Sequence, residues 1–228
     1  GRGEPIKDTA RVLSRYLDGI MIRTYGHDRA QELAQWAEIP VINALTDLLH
    51  PCQVLTDMLT IREHKGKNLK NLKMVYVGDG NNMTNSFLYG AAKAGMTFVA
   101  ATPEDYRPDA EVYKNALEDA KETGADISLM ANPIEAVKDA DIVVTDTWAS
   151  MGQEAEHEER KKIFAPYQIN GDLLAAADKR AIVMHCLPAY RGEEITEDVF
   201  ESFANVIFDE AENRLHVQKA IMALVMGG

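Results

Sequence analysis

One unit recurs along most of this chain: a short continuous apolar run, a polar turn, then a stretch with helical periodicity. Lys73–Val77, Thr97–Ala101, Asp126–Ala131, Asp141–Thr145 and Ala181–Cys186 read as strands, and Val206–Phe208 offers a sixth run. Helices are predicted over Met83–Gly95 and Ala110–Thr123, and another is led by Pro133, whose missing N–H has no partner at a first helical position anyway. Runs that are apolar throughout, rather than alternating, belong to strands covered on both faces. Strands alternating with helices imply a parallel, doubly wound sheet.

A separate α/β pattern precedes residue 65. Helices are predicted at Ile6–Tyr16, His27–Ala37 and Gln53–Lys65, with strands at Gly19–Arg23 and Val41–Ile42. The charged, Lys-rich segment Arg62–Leu72 marks a boundary. The expected fold is α/β, with two doubly wound parallel-sheet domains of which the first is only partly present. Residues 1–64 form that first part, 65–211 the second domain, and a last helix over 212–228 returns to the first.

The chain carries 24 Lys and Arg against 36 Asp and Glu, a formal charge of −12. Phosphate backbones and anionic lipid surfaces need clustered positive charge, so neither nucleic acid nor a membrane is an expected partner. The longest apolar stretch, near Ala220–Met226, falls short of the ~20 residues that span a bilayer. Cys52 and Cys186 are too few and too widely spaced for a disulfide framework or a zinc site, which fits a reducing, cytoplasmic setting.

Ligands of open parallel sheets sit beyond the carboxyl ends of the strands. The polar residues there are Arg23 and Thr24, His50 to Gln53, Asn81 and Asn82, Asp146, and His185 with Cys186. Gly78-Asp79-Gly80-Asn81-Asn82-Met83 begins like a dinucleotide fingerprint, but Met83 stands where the third glycine belongs. The same residues also suit a tight turn, or a loop in which the Asn82 amide meets a small polar ligand. Asp146 precedes a Ser150-Met151-Gly152 stretch that reads as a closing loop before a helix near Glu154, so ligand binding is favoured over capping. Cys186 suits either a small buried hydrophobe or a polarised thiol. His50 opens a helix whose free N–H groups favour an oxyanion; it can cap that helix or donate to a carbonyl oxygen. Arg214, read at a helix start, is a cation in a place that calls for an anion.

Taken together, His50-Pro51-Cys52-Gln53, Asp79-Gly80-Asn81-Asn82, Asp146-Thr147-Trp148 with Ser150-Met151-Gly152, His185-Cys186-Leu187-Pro188 and Glu210-Ala211-Glu212-Asn213-Arg214 resemble the ornithine branch of the transcarbamoylase family. The five motifs occur in the family's order along the whole chain. The resemblance implies transfer of a carbamoyl group from carbamoyl phosphate to the side-chain amine of ornithine, giving citrulline and phosphate, without metal or organic cofactor. It implies that Arg23, His50, Gln53 and Arg214 bind carbamoyl phosphate, and that Asn82, Asp146, Ser150 and Met151 hold the ornithine backbone groups. Cys186 would lie near the reacting amine, and Leu187 would offer it a carbonyl. A homo-oligomer, a trimer or a multiple of trimers, is implied as well.

The sequence departs from the family in one respect. The Ser-x-Arg-Thr-Arg phosphate cradle is absent, and Ile22-Arg23-Thr24-Tyr25 holds only an Arg-Thr pair at another place. The chain therefore looks like the family without the first half of its carbamoyl phosphate domain, and these residues alone are expected to be inactive. Rival readings are a transcarbamoylase for aspartate or putrescine, a non-catalytic amino-acid-binding fragment, and a nicotinamide-linked dehydrogenase, the last weakened by Met83.

Overall fold

The computed structural model describes residues 3–149 and 156–227. The chain opens with α1 (Ile6–Leu13), β1 (Ile20–Arg23), α2 (His27–Trp36), β2 (Val41–Leu45) and α3 (Pro51–Lys65). β1 and β2 pair in parallel, with Ile20 opposite Val41. Then follow β3 (Lys73–Val77), α4 (Asn82–Ala94), β4 (Thr97–Ala101), α5 (Ala110–Thr123), β5 (Asp126–Met130), α6 (Pro133–Val137), β6 (Ile142–Thr145), α7 (His157–Phe164), α8 (Gly171–Leu174), β7 (Ile182–His185), α9 (Glu197–Ser202) and α10 (Ala204–Met226).

Among the described residues, the second group of strands forms one parallel sheet in the order β5-β4-β3-β6-β7. β3 shows why these runs are apolar throughout. Met74 and Tyr76 enter a core layer with Phe87, Leu88, Phe98 and Met184, while Val75 and Val77 enter the opposite layer with Val99, Val143, Phe164 and Val183. The strand order reverses between β3 and β6, which opens a crevice beyond their carboxyl ends. Local chemistry fixes the helix bounds. The Asn81 side chain accepts from the N–H groups of Met83 and Thr84 at the start of α4, and Gly95 ends it with a left-handed φ of 70°.

Two expectations are corrected at the C-terminus. Val206–Phe208 is not a strand, and the last helix begins at Ala204 rather than Glu212. The buried positions Val206, Ile207, Glu210 and Asn213 follow helical spacing, so the apolar triplet is one turn of an inward stripe. α10 packs on α3 and β7, and its Met226 sulfur lies 3.0 Å from where a Cβ on Gly19 would stand. No helix among the described residues is long and apolar enough to cross a membrane.

Candidate active site

A cleft of about 630 Å³ opens at the carboxyl ends of β1, β2, β3, β6 and β7. Arg23, His50, Gln53, Asn82, Asp146, Cys186, Leu187 and Arg214 all line it. Residues 150 and 151, the expected Ser150 and Met151 contacts, lie outside the described residues.

The glycine turn is built for close backbone approach. A Cβ on Gly80 would meet the Arg107 carbonyl carbon and the Pro108 nitrogen, each at 2.3 Å. Asn81 also occupies two N–H groups at the start of α4, the donors a pyrophosphate would need. The turn is therefore a packing device rather than a dinucleotide cradle. Asn82 lines the cleft, and its Nδ2 donates to the Thr46 carbonyl at 2.8 Å, joining the two sheets.

Asp146 follows β6 directly and collects three donors. Asn81 Nδ2 lies 2.9 Å from its Oδ2, while Cys186 Sγ at 3.2 Å and the Thr147 N–H at 2.8 Å reach its Oδ1. Burial, and next the Asp146 carboxylate, push the Cys186 thiol well above its usual range. Cys186 is therefore a thiol that donates to Asp146, unable to take up a proton from a nucleophile. His185 is spent on structure. Its Nδ1 accepts the Leu187 N–H at 2.9 Å, so its Nε2 carries the proton and donates to Glu194 at 3.0 Å. The Leu187 N–H bond to Nδ1 steadies Leu187, whose φ of 58° is costly for a bulky side chain. Asp146, His185 and Cys186 bring ligand-type atoms within 4.8 Å of one another, but the two nitrogens of His185 and the Cys186 thiol are already hydrogen-bonded.

His50 stands at the start of α3 and does not cap it with its side chain. Its backbone N–H donates to Ser86 Oγ at 2.7 Å, and its buried Nδ1 has no hydrogen-bond partner. Burial first, then Arg214 and Arg23, lower its pKa to about 3. The imidazole is thus neutral at physiological pH, suited to donating to a carbonyl oxygen between two cations. Arg214 lies well inside α10, so the helix-start argument for its role does not hold. Its placement comes from packing instead: one guanidinium nitrogen donates to Gln53 Oε1.

Several residues here were given no role by sequence reasoning. Arg160 of α7 is buried, pairs with Asp79 and donates to the Trp148 carbonyl, which anchors the chain beyond β6. Burial outweighs that partner and raises the Asp79 carboxyl to about 6. Asp57 and Glu210 are buried beside Gln53. A carboxylate four residues after Gln53 on the same helix was a visible signal for Asp57; nothing in the sequence tied Glu210 to α3.

Residues 1–63 match the carbamoyl-P binding domain of the aspartate/ornithine carbamoyltransferases, and residues 70–225 match their Asp/Orn binding domain. The chain belongs to the aspartate/ornithine carbamoyltransferase family. A relative from Thermococcus kodakarensis, named ornithine carbamoyltransferase, is 57% identical over 227 residues, which is 100% of this chain and 72% of that protein. The ornithine carbamoyltransferase structure from Pyrococcus furiosus superposes with a TM-score of 0.95 at 56% identity, over 100% of this chain and 72% of the other. That from Gloeobacter violaceus gives 0.90 at 52% identity, over 98% of this chain and 75% of the other.

Proposed function

We propose that the cleft binds carbamoyl phosphate and L-ornithine, and that the protein carrying this chain transfers the carbamoyl group to ornithine's side-chain amine. One observation carries the reading: a single cleft holds Arg23 and Arg214 near a neutral His50 together with the Asp146 carboxylate beside Cys186. The cationic side suits a phosphate and a carbonyl oxygen, helped by the N-terminus of α3. The carboxylate suits an ammonium, here the α-amino group of ornithine, with Asn82 in the same cleft; roles for Ser150 and Met151 rest on the family resemblance alone.

The attacking amine must be neutral, although its pKa in water lies near the ~10.4 of lysine. Its lone pair forms the new C–N bond to the carbamoyl carbon. The bond from that carbon to the phosphate oxygen breaks, and phosphate leaves with the electron pair. The surplus proton of the amine goes to a phosphate oxygen, since the Cys186 thiol has no capacity for it. Cys186 and the Leu187 carbonyl orient the amine.

We assign residues 1–64 to the carbamoyl phosphate side and 65–211 to the ornithine side; α10 runs through the second boundary without a break. The free thiols of Cys52 and Cys186 support a reducing, cytoplasmic compartment. A homotrimer is the assembly we infer from the family resemblance, and sedimentation velocity tests it. The test of function is product analysis with the natural protein that carries this chain, given carbamoyl phosphate and ornithine, putrescine and aspartate in competition. Citrulline is the expected product; carbamoyl-putrescine or carbamoyl-aspartate as the main product overturns the reading.

A further inference from the structure

Gln53 faces the cleft with nearly all of its hydrogen-bonding capacity already used. Its Nε2 donates to Asp57 Oδ1 at 2.8 Å and to Glu210 Oε1 at 3.1 Å, and its Oε1 accepts from Arg214. An amide has two N–H groups and two oxygen lone pairs, so one lone pair on Oε1 is what remains for a ligand. The two acceptors come from different elements. Asp57 lies one turn further along α3, whereas Glu210 arrives on α10 and its other oxygen accepts the His185 N–H at 3.0 Å. Asp57 is 0% exposed and Glu210 1%, and among the described residues no Lys or Arg forms an ion pair with either. Two adjacent buried carboxyls cannot both ionise freely. Burial pushes Asp57 up to about 7 and Glu210, with Asp57 beside it, well above its usual range.

We propose that Asp57 and Glu210 are positioning residues that lock the Gln53 amide with its oxygen toward Arg214 and the cleft, so that the site selects a ligand bearing an N–H beside its phosphate. The proposal deepens the carbamoyl phosphate reading and rests on it. In the opposite amide orientation, Nε2 would face the donors of Arg214 and Oε1 would face two carboxyls, losing the bonds just described. Inorganic phosphate has no carbamoyl N–H to lose from Oε1, so its affinity should fall less than that of carbamoyl phosphate when the amide is no longer held.

The test combines calorimetry with side-chain amide NMR, using both carbamoyl phosphate and inorganic phosphate as probes. Glu210→Gln leaves a single oxygen for two donors, and Asp57→Leu removes an acceptor. Each is expected to weaken carbamoyl phosphate about tenfold while leaving inorganic phosphate within about twofold. Asp57→Asn keeps an oxygen for Gln53 and gives Glu210 an N–H, so it is expected to retain affinity for both. Equal weakening of both probes, or no change with Glu210→Gln, overturns the proposal; Glu210→Gln decides alone if Asp57→Leu does not fold. The Gln53 amide protons, identified by their loss in Gln53→Glu, are expected to be protected from exchange in the unsubstituted protein. If that protein fails to bind carbamoyl phosphate, the functional reading falls and the amide protons decide the positioning. Rapid exchange then overturns it, and protection that is lost in Glu210→Gln upholds it.

Discussion

Replacing Asp146 with asparagine keeps the shape of the side chain and removes its charge, and the local geometry says what should follow. Oδ1 keeps the Thr147 N–H and the Cys186 thiol, but the new Nδ2 group faces the Nδ2 of Asn81, which now donates to Oδ2 at 2.9 Å. Asn81 cannot simply turn its amide over, because its oxygen accepts from Met83 and Thr84 at the start of α4. One hydrogen bond to a charged acceptor is lost and two donors are left opposed, which costs folding stability roughly 1.5–3 kcal/mol. The ammonium of ornithine loses a charge-assisted partner of the same size, so its dissociation constant should rise roughly 10- to 150-fold. Carbamoyl phosphate, which we assign to Arg23, His50 and Arg214, should be affected little. Calorimetric titrations with each ligand separately, alongside urea unfolding, read all three quantities. Parallel weakening of both ligands would refute the assignment of Asp146 to ornithine, and unchanged ornithine affinity would refute its contact with the ligand.

The neutral state of His50 should show in acid. Its folded pKa of about 3 lies below the ~6.5 of an unfolded chain, so the unfolded state gains a proton first as pH falls, and the stability from neutral His50 is complete above pH 6.5 and declines below it. Between pH 7.5 and 5.5 the parent should lose about 1.4 kcal/mol more than His50→Asn, and identical pH slopes in urea unfolding would count against burial of the neutral ring. Arg160→Met should cost about 3–5 kcal/mol at pH 8 by leaving the buried Asp79 without its partner, and a loss under about 1 kcal/mol would show that Asp79 does not depend on the pair. Cys186→Ser should keep its bond to Asp146 and retain stability while lowering turnover, and full activity would make the thiol only a wall of the cleft. A polypeptide limited to residues 1–228 carries Arg23, His50, Gln53 and Arg214 but no Ser-x-Arg-Thr-Arg run, and should form no citrulline above background; turnover at the level of complete relatives would show that the run had been overvalued.

The sequence by itself determined most of the element types and which strand ends meet at the cleft. Continuous apolar runs leave little alternative to strands covered on both faces, and in such a sheet the residues after each run must gather at one edge, which is why Arg23, His50, Asp146 and Cys186 could be named beforehand. The sequence failed at Val206–Phe208 because three apolar residues fit one turn of a helix as well as a strand, and only the surface offered by α3 and β7 selects between them. The protonation states belong wholly to the tertiary structure. His50 is neutral, the Cys186 thiol holds its proton, and the Asp57 and Glu210 carboxyls resist ionisation because folding brings groups from α3, β6, β7 and α10 together away from water. The orientation of Gln53 has the same origin, since Asp57, Glu210 and Arg214 meet it from a helix turn and a segment 157 positions apart, and hydrogen-bond direction exists only once those positions are fixed in space.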